Sequence, residues 1–195
     1  MQVQPTIKPF LIMKRILMIC FLTSMSSALF SQTLFMTRSG QISFFSKTSV
    51  ENIDAVNNEV TSILNTGTGE VVFAVLVKSF RFEKALMEEH FNENYMESDK
   101  FPKATFQGKI TNLASIDFAK DGSYPVTIQG DLTLHNVKQP VNASGQLEVG
   151  NGKLILKGNF IVTLADYKIE VPSLVTEKIS KTIDIRVNCN YEPKK

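Results

Sequence analysis

The chain has 195 residues, 43% hydrophobic and 21% charged, with seven Pro, ten Gly and no Trp, a composition that excludes disorder, collagen and coiled coil and fits one globular domain. The formal charge is +2, but Lys8, Lys14 and Arg15 lie in residues 1–31, which hold no acid; without them 18 Lys and Arg face 19 Asp and Glu, a net −1. A body with such scattered, balanced charge has no stripe for a phosphate backbone and speaks against nucleic acid as a partner.

Residues 1–31 read as a cleaved export signal. Lys14-Arg15 form the positive start, Ile16 to Leu22 the apolar run, and Ser24 to Ser31 a small and polar stretch ending before Gln32, the pattern of a secretory leader. The apolar run is far shorter than the roughly 20 residues that cross a bilayer, so no stable membrane span is expected. Cys20 follows bulky Ile19 inside that run and is a poor site for lipid attachment. The expectation is a periplasmic or secreted protein with one domain over 32–195. Cys189 is then its only cysteine, and no intrachain disulfide can form. It alternates with Ile183, Ile185 and Val187 and reads as a small buried hydrophobe.

Along the body, Gln41–Thr48 and Glu70–Phe82 are strand-like, and the turn residues Asn65 to Gly69 lie between them. Asn52–Leu64 stays ambiguous: Ile53, Val56, Val60, Ile63 and Leu64 fit a helical stripe, whereas the β-branched content fits a strand. Glu83–Asn92, rich in Ala, Leu, Met and Glu, predicts one short helix with Leu86 and His90, and Met87 and Phe91, at i and i+4. From Tyr124 onward the hydrophobic period is two. Val126, Ile128, Gly130, Leu132 and Leu134 share one face of the first strand, with Thr127, Gln129 and Thr133 opposite. Val141–Val149, Lys153–Leu164 and Ile179–Tyr191 repeat the pattern. Gly150-Asn151-Gly152 predicts a tight hairpin.

Several long strands with one apolar face each require a sandwich or closure into a barrel. Gly130, Gly145 and Gly158 on that face mark either sharp barrel corners or the close approach of a ligand. They favour closure, and they tilt the interior toward holding a ligand over being filled by side chains.

Catalytic patterns are missing. There are two histidines, His90 and His135, and no nucleophile elbow, zinc-protease helix, dinucleotide fingerprint or P-loop. Glu89, His90 and Glu93 share a short helix, but a solvated histidine is the better reading than a metal ligand. No catalytic residue, metal or cofactor is expected, apart from a bound lipid. His135, beside Asn136 at a strand end, reads as a polar turn residue.

Three stretches carry a likeness in order. Glu88-Glu89-His90-Phe91 followed by Lys100-Phe101-Pro102-Lys103-Ala104-Thr105-Phe106, then Gly130 to Val141 (GDLTLHNVKQPV), then Asp166-Tyr167-Lys168-Ile169 together resemble the motifs of the YceI-like lipid-binding family over about residues 38–192. The resemblance implies an all-β, eight-stranded antiparallel barrel of lipocalin-like shape with one short helix at about 83–92. It also implies export to the periplasm, a long apolar ligand such as a polyisoprenoid or fatty-acid derivative, and a strand over Asn52–Leu64. Met87 stands where many relatives carry Arg, so no head-group contact is carried over from that position. Asn136 replaces a turn Gly, which its tolerance of left-handed backbone allows.

The leading expectation is a non-catalytic binding protein that sequesters an amphiphilic lipid. Its apolar cavity would be lined by Val126, Ile128, Leu132, Leu134, Phe160, Val162, Ile183, Ile185 and Val187, with His90 at the mouth. The alternative is a structural or adaptor barrel with a self-filled core that acts through its surface, and an enzyme acting on the lipid ranks third. Whether the barrel forms a homodimer is left open.

Overall fold

The computed structural model describes residues 34–194; the leader and its cleavage point lie outside the described residues. Eight long strands run β1 (Leu34–Lys47), β2 (Asn52–Asn65), β3 (Glu70–Leu76), β5 (Lys103–Ile110), β6 (Gly122–Leu134), β7 (Val137–Gly150), β8 (Lys153–Thr163) and β9 (Thr182–Pro193), with a two-residue β4 (Arg81–Phe82). All pairings are antiparallel, in the order β1-β9-β8-β7-β6-β5-β3-β2, and β1 pairs with β2 to close the barrel. Closure removes both sheet edges.

The period-two reading of the second half holds in register. Val126, Ile128 and Leu132 are buried while Thr127 and Gln129 are exposed. The β7–β8 hairpin turns on Asn151 and Gly152, both at positive φ (51° and 69°), the geometry that suits the twist of the flanking strands. The β6–β7 turn uses His135 and Asn136 at φ 49° and 60°, so Asn136 does serve in place of glycine.

Asn52–Leu64 is a strand, and the reason for its mixed signal is visible. The register slips between Gly40↔Val60 and Ile42↔Asn57, so a bulge separates the inward pair Ala55 and Asn57 from the inward set Val60, Ser62 and Leu64. One extra residue puts three positions between Asn57 and Val60, which copies helical spacing. A matching slip in β1 between Thr37 and Gly40 hid the first half of that strand.

Two readings need correction. Glu70–Phe82 is not one strand: β3 ends at Leu76, Val77–Ser79 forms a 3-10 turn, and β4 resumes pairing with β2. Buried Asn57 makes the break tolerable, its Nδ2 donating to the Leu76 carbonyl (2.9 Å) and its Oδ1 accepting from the Glu59 amide (2.8 Å). Gly130 and Gly145 also do not make room for a ligand. Gly108 faces Gly130 across β5 and β6, and Gly145 faces Gly158 across β7 and β8. A Cβ at Gly130 would meet the Gln107 carbonyl, and one at Gly145 the Lys157 carbonyl. At these two positions the space belongs to the neighbouring backbone, whereas a Cβ at Gly158 would make only ordinary contact with the Ser144 carbonyl (3.5 Å).

The interior divides along its length. At the end holding the β2–β3, β5–β6 and β7–β8 connections, Leu64, Ile110, Leu147, Leu156, Cys189 and Tyr191 form a solid core, and Ile116 with Leu113 and Phe118 from the β5–β6 loop packs against it. The other end is built differently and carries the site.

Candidate functional site

The helix α1 (Ala85–His90) continues through one wide turn, Phe91–Tyr95, whose bond from the Met96 amide to the Phe91 carbonyl (2.9 Å) spans five residues. It lies at the end of the barrel opposite the solid core. Its approach is fixed by aromatic packing. Phe91 meets Phe44 of β1, Phe80 and Phe82 with ring centroids 5.4, 5.7 and 5.0 Å apart, spacings at which edge and offset contacts are favourable. Glu88 ties the helix to the broken strand by accepting from Arg81 (2.7 Å) and from the Phe82 amide (3.3 Å). The strand break therefore matters to the site: it turns Phe80 and Phe82 inward and delivers the helix to the rim.

Between helix and barrel lies a cavity of about 470 Å³. Its walls are Phe44, Phe80, Phe91, Met96, Val162 and Ile185, joined by Ala104, Leu134, Leu164 and Ile169. The polar groups on its lining are Ser46, Glu51, Lys84, His90, Tyr95 and Lys178, all at strand ends, on the helix or in loops. Several are already engaged. Ser46 accepts from the Ser180 amide (2.9 Å), and Lys84 pairs with Glu51 at 3.2 Å. The His90 and Lys178 side chains have no hydrogen-bond or ion-pair partner among the described residues. Burial pushes the Tyr95 phenol above its ordinary range. An apolar interior with charge only at its rim suits a molecule that is greasy at one end and polar at the other.

Of the residues predicted to line a cavity, Leu134, Val162, Ile183 and Ile185 do so, and His90 borders the same space. Val126, Ile128, Leu132, Phe160 and Val187 face inward one or more steps deeper, packed within or against the hydrophobic clusters, and do not touch the cavity. The register alone could not separate the two groups, because period two marks inward residues without saying which depth is filled. Phe44 of β1 and the helical and loop contributors, above all Phe80, Phe91, Ile169 and Lys178, were missed; of these, Phe91 carried a signal in its i, i+4 pairing with Met87.

Next to the cavity, His135 is held by two acceptors. Its Nδ1 lies 3.2 Å from the Tyr167 carbonyl and its Nε2 2.9 Å from Glu97 Oε2, and Phe101 packs edge-on at 4.6 Å. The ring thus bridges two oxygens contributed by different segments. His135 is therefore a structural clasp joining the β6–β7 turn, the loop after the helix and the Leu164–Tyr167 turn. Glu89, His90 and Glu93 do not form a metal-binding group, and none of three or more His, Cys, Asp or Glu occurs among the described residues. No helix among them is long and apolar enough to cross a membrane.

A model of the YceI-like domain matches residues 23–191. The chain belongs to the YceI-like family. The YceI-like barrel is also similar in fold to solved structures: a polyisoprenoid binding domain from Saccharophagus degradans implicated in plant cell wall breakdown (15% identity, TM-score 0.71, covering 83% of this chain and 98% of that one), BcnA of Burkholderia cenocepacia (12%, TM-score 0.65, 78% and 95%), and the YceI protein of Campylobacter jejuni (14%, TM-score 0.55, 76% and 89%). Among curated protein sequences none matches. At these identities the likeness to solved structures concerns the barrel and its closure. The family motifs fall where the site is assembled. The Lys100 to Phe106 stretch enters β5 beside the cavity, Gly130 to Val141 spans the turn that carries His135, and Asp166 to Ile169 supplies the Tyr167 carbonyl and the cavity residue Ile169.

Proposed function

We propose that this YceI-like chain is an exported, non-catalytic binding protein that takes the tail of an amphiphilic lipid, a polyisoprenoid or fatty-acid derivative, into the cavity beneath the helix. One observation carries the reading: about 470 Å³ of space walled by phenylalanine and aliphatic side chains, with its charged groups confined to the rim. Burying a tail there contributes about 0.8 kcal/mol per methylene, so about 15 methylenes offset an association cost of about 4 kcal/mol and leave the roughly 8 kcal/mol of micromolar binding. The unpartnered Lys178 and His90 leave donors for a polar head at the mouth. The polyisoprenoid-binding neighbour of like fold supports the ligand class.

The self-filled alternative describes the other end of the barrel, where the core is solid; the cavity end is where the lipid reading applies. Native mass spectrometry and solvent extraction of protein purified from its source test it. A carrier brings a lipid of defined mass that denaturation releases; protein that arrives at its bare chain mass and takes up no lipid afterwards sinks the proposal. N-terminal sequencing of the same material should begin near Gln32, and a soluble cytoplasmic chain retaining Met1 or Met13 would remove export from it.

A further inference from the structure

We infer that Phe106 sets the length of chain the cavity admits. The inference rests on the lipid-binding reading above and adds to it the residue that limits the tail.

The lining stops at a definite inward residue on each of three strands. On β5 it includes Ala104 but not Phe106, on β6 Leu134 but not Leu132, and on β9 Ile185 but not Val187. Phe106 is the next inward residue on β5 beyond the lining residue Ala104, and it packs against buried residues of both hydrophobic clusters. Its ring leans along β5 toward the filled end. A Cβ on Gly108 would come within 2.5 Å of its Cζ, and one on Gly130 within 2.7 Å. The facing glycines thus leave a seat that the ring occupies, so an aromatic side chain replaces the two missing ones on that stretch of wall. Phe73 braces the ring from the next strand, edge-on at 6.2 Å. A tail passing beyond Ala104 meets this ring, and behind it a core close-packed enough to yield no further room.

The part of a chain too long to fit above the ring would stay in water and add nothing to affinity.

The test is displacement of a fluorescent fatty-acid probe from the delipidated protein by a series of unbranched acids from octanoic to arachidic. For the wild-type chain, affinity should rise up to about fourfold per methylene and level off at a definite chain length within the series. F106A should move the break longer by roughly three methylenes, and F106L should move it in the same direction by less. A104L, one inward step nearer the mouth on the same strand, should move it shorter. The readout is the position of the break and not the height of the curve, so a loss of stability in F106A cannot imitate the result, and F106L repeats it with a gentler change. A break at the same chain length in all four proteins, or a wild-type series that keeps rising to arachidic acid, overturns the role of Phe106. Failure of the wild-type protein to bind any acid or the probe is a different outcome and overturns the lipid-binding reading itself.

Discussion

Individual buried polar groups show how the barrel tolerates hydroxyls in its core. Ser62 donates to the Val72 carbonyl (2.8 Å) and shares a hydrogen with the fully buried Tyr191 hydroxyl (2.6 Å). Burial pushes the Tyr191 phenol far above its ordinary range and the Cys189 thiol up to about 12, so both remain neutral. The two ends of this bond are unequal. Ser62→Ala strands the tyrosine hydroxyl without an acceptor and should cost about 1–3 kcal/mol, whereas Tyr191→Phe leaves Ser62 its carbonyl and should cost about 1 kcal/mol. Urea denaturation of the two variants checks the order, and equal losses would refute it.

The clasp at His135 makes a pH-dependent prediction at the same scale. Glu97 and His135 both hold left-handed backbone (φ 42° and 49°), which costs non-glycine residues energy, and they bond to each other. The hydrogen bond from His135, with a further contribution from Lys100, lowers the Glu97 carboxyl below its ordinary 4.5. A depressed carboxylate adds stability above its unfolded pKa, and that stability is lost as pH falls through the folded value. Glu97→Gln should therefore melt at lower temperature than wild type at neutral pH, with the gap closing as pH drops below about 4.5. A gap unchanged from neutral to acid pH would show that the carboxylate charge plays no part.

Among the elements, the broken strand from Glu70 to Phe82 decides the most. An unbroken β3 would keep Phe80 and Phe82 in the ladder and send the chain past the mouth. The break instead places both rings on the cavity and passes the chain into α1. Asn57 supports that geometry by serving the Leu76 carbonyl at the point of departure. Asn57→Ala should cost about 1–3 kcal/mol and raise amide hydrogen exchange over residues 77–95 more than elsewhere in the barrel. Uniform acceleration would mean that Asn57 matters to global stability alone. The helix itself was legible over 83–92 from its composition and i, i+4 pairs, although its wide final turn was not: the i, i+5 bond depends on Phe91 staying among Phe44, Phe80 and Phe82, and those partners come from distant strands.

For the whole molecule, the division into a solid end and a hollow end gives binding without loss of the fold. The solid end holds the largest fully buried side chains, Tyr191, Leu64, Ile110, Leu147, Leu154 and Leu156, so emptying the cavity should leave a folded barrel. Ligand bound only by the native state stabilises it by mass action, about 2.7 kcal/mol at a hundredfold excess over Kd. Delipidated protein should accordingly unfold cooperatively and gain melting temperature on adding long-chain fatty acid or polyprenol, with the largest gain for acids near the length at which affinity levels off. A melting curve indifferent to every such lipid would favour a barrel that acts through its surface.

Local sequence by itself determined the alternating, one-faced strands of the second half and the Asn151-Gly152 turn, because each depends only on period two and on residues that accept positive φ; it left sandwich and barrel open, with the glycines favouring closure. Eight-strandedness came with the family motifs, whose order along the chain is also a local property. Tertiary structure alone decided the rest. The bulges at Arg38-Ser39 and Asn58-Glu59 shift the inward face of β1 and β2, and only their mutual pairing shows where. The glycines at 130 and 145 were suited to a ligand or to a tight corner, and the neighbouring carbonyls and the Phe106 ring settled which. The depth at which the interior stops being filled depends on side chains from separate strands meeting at one level, a coincidence in space that no stretch of neighbouring residues encodes.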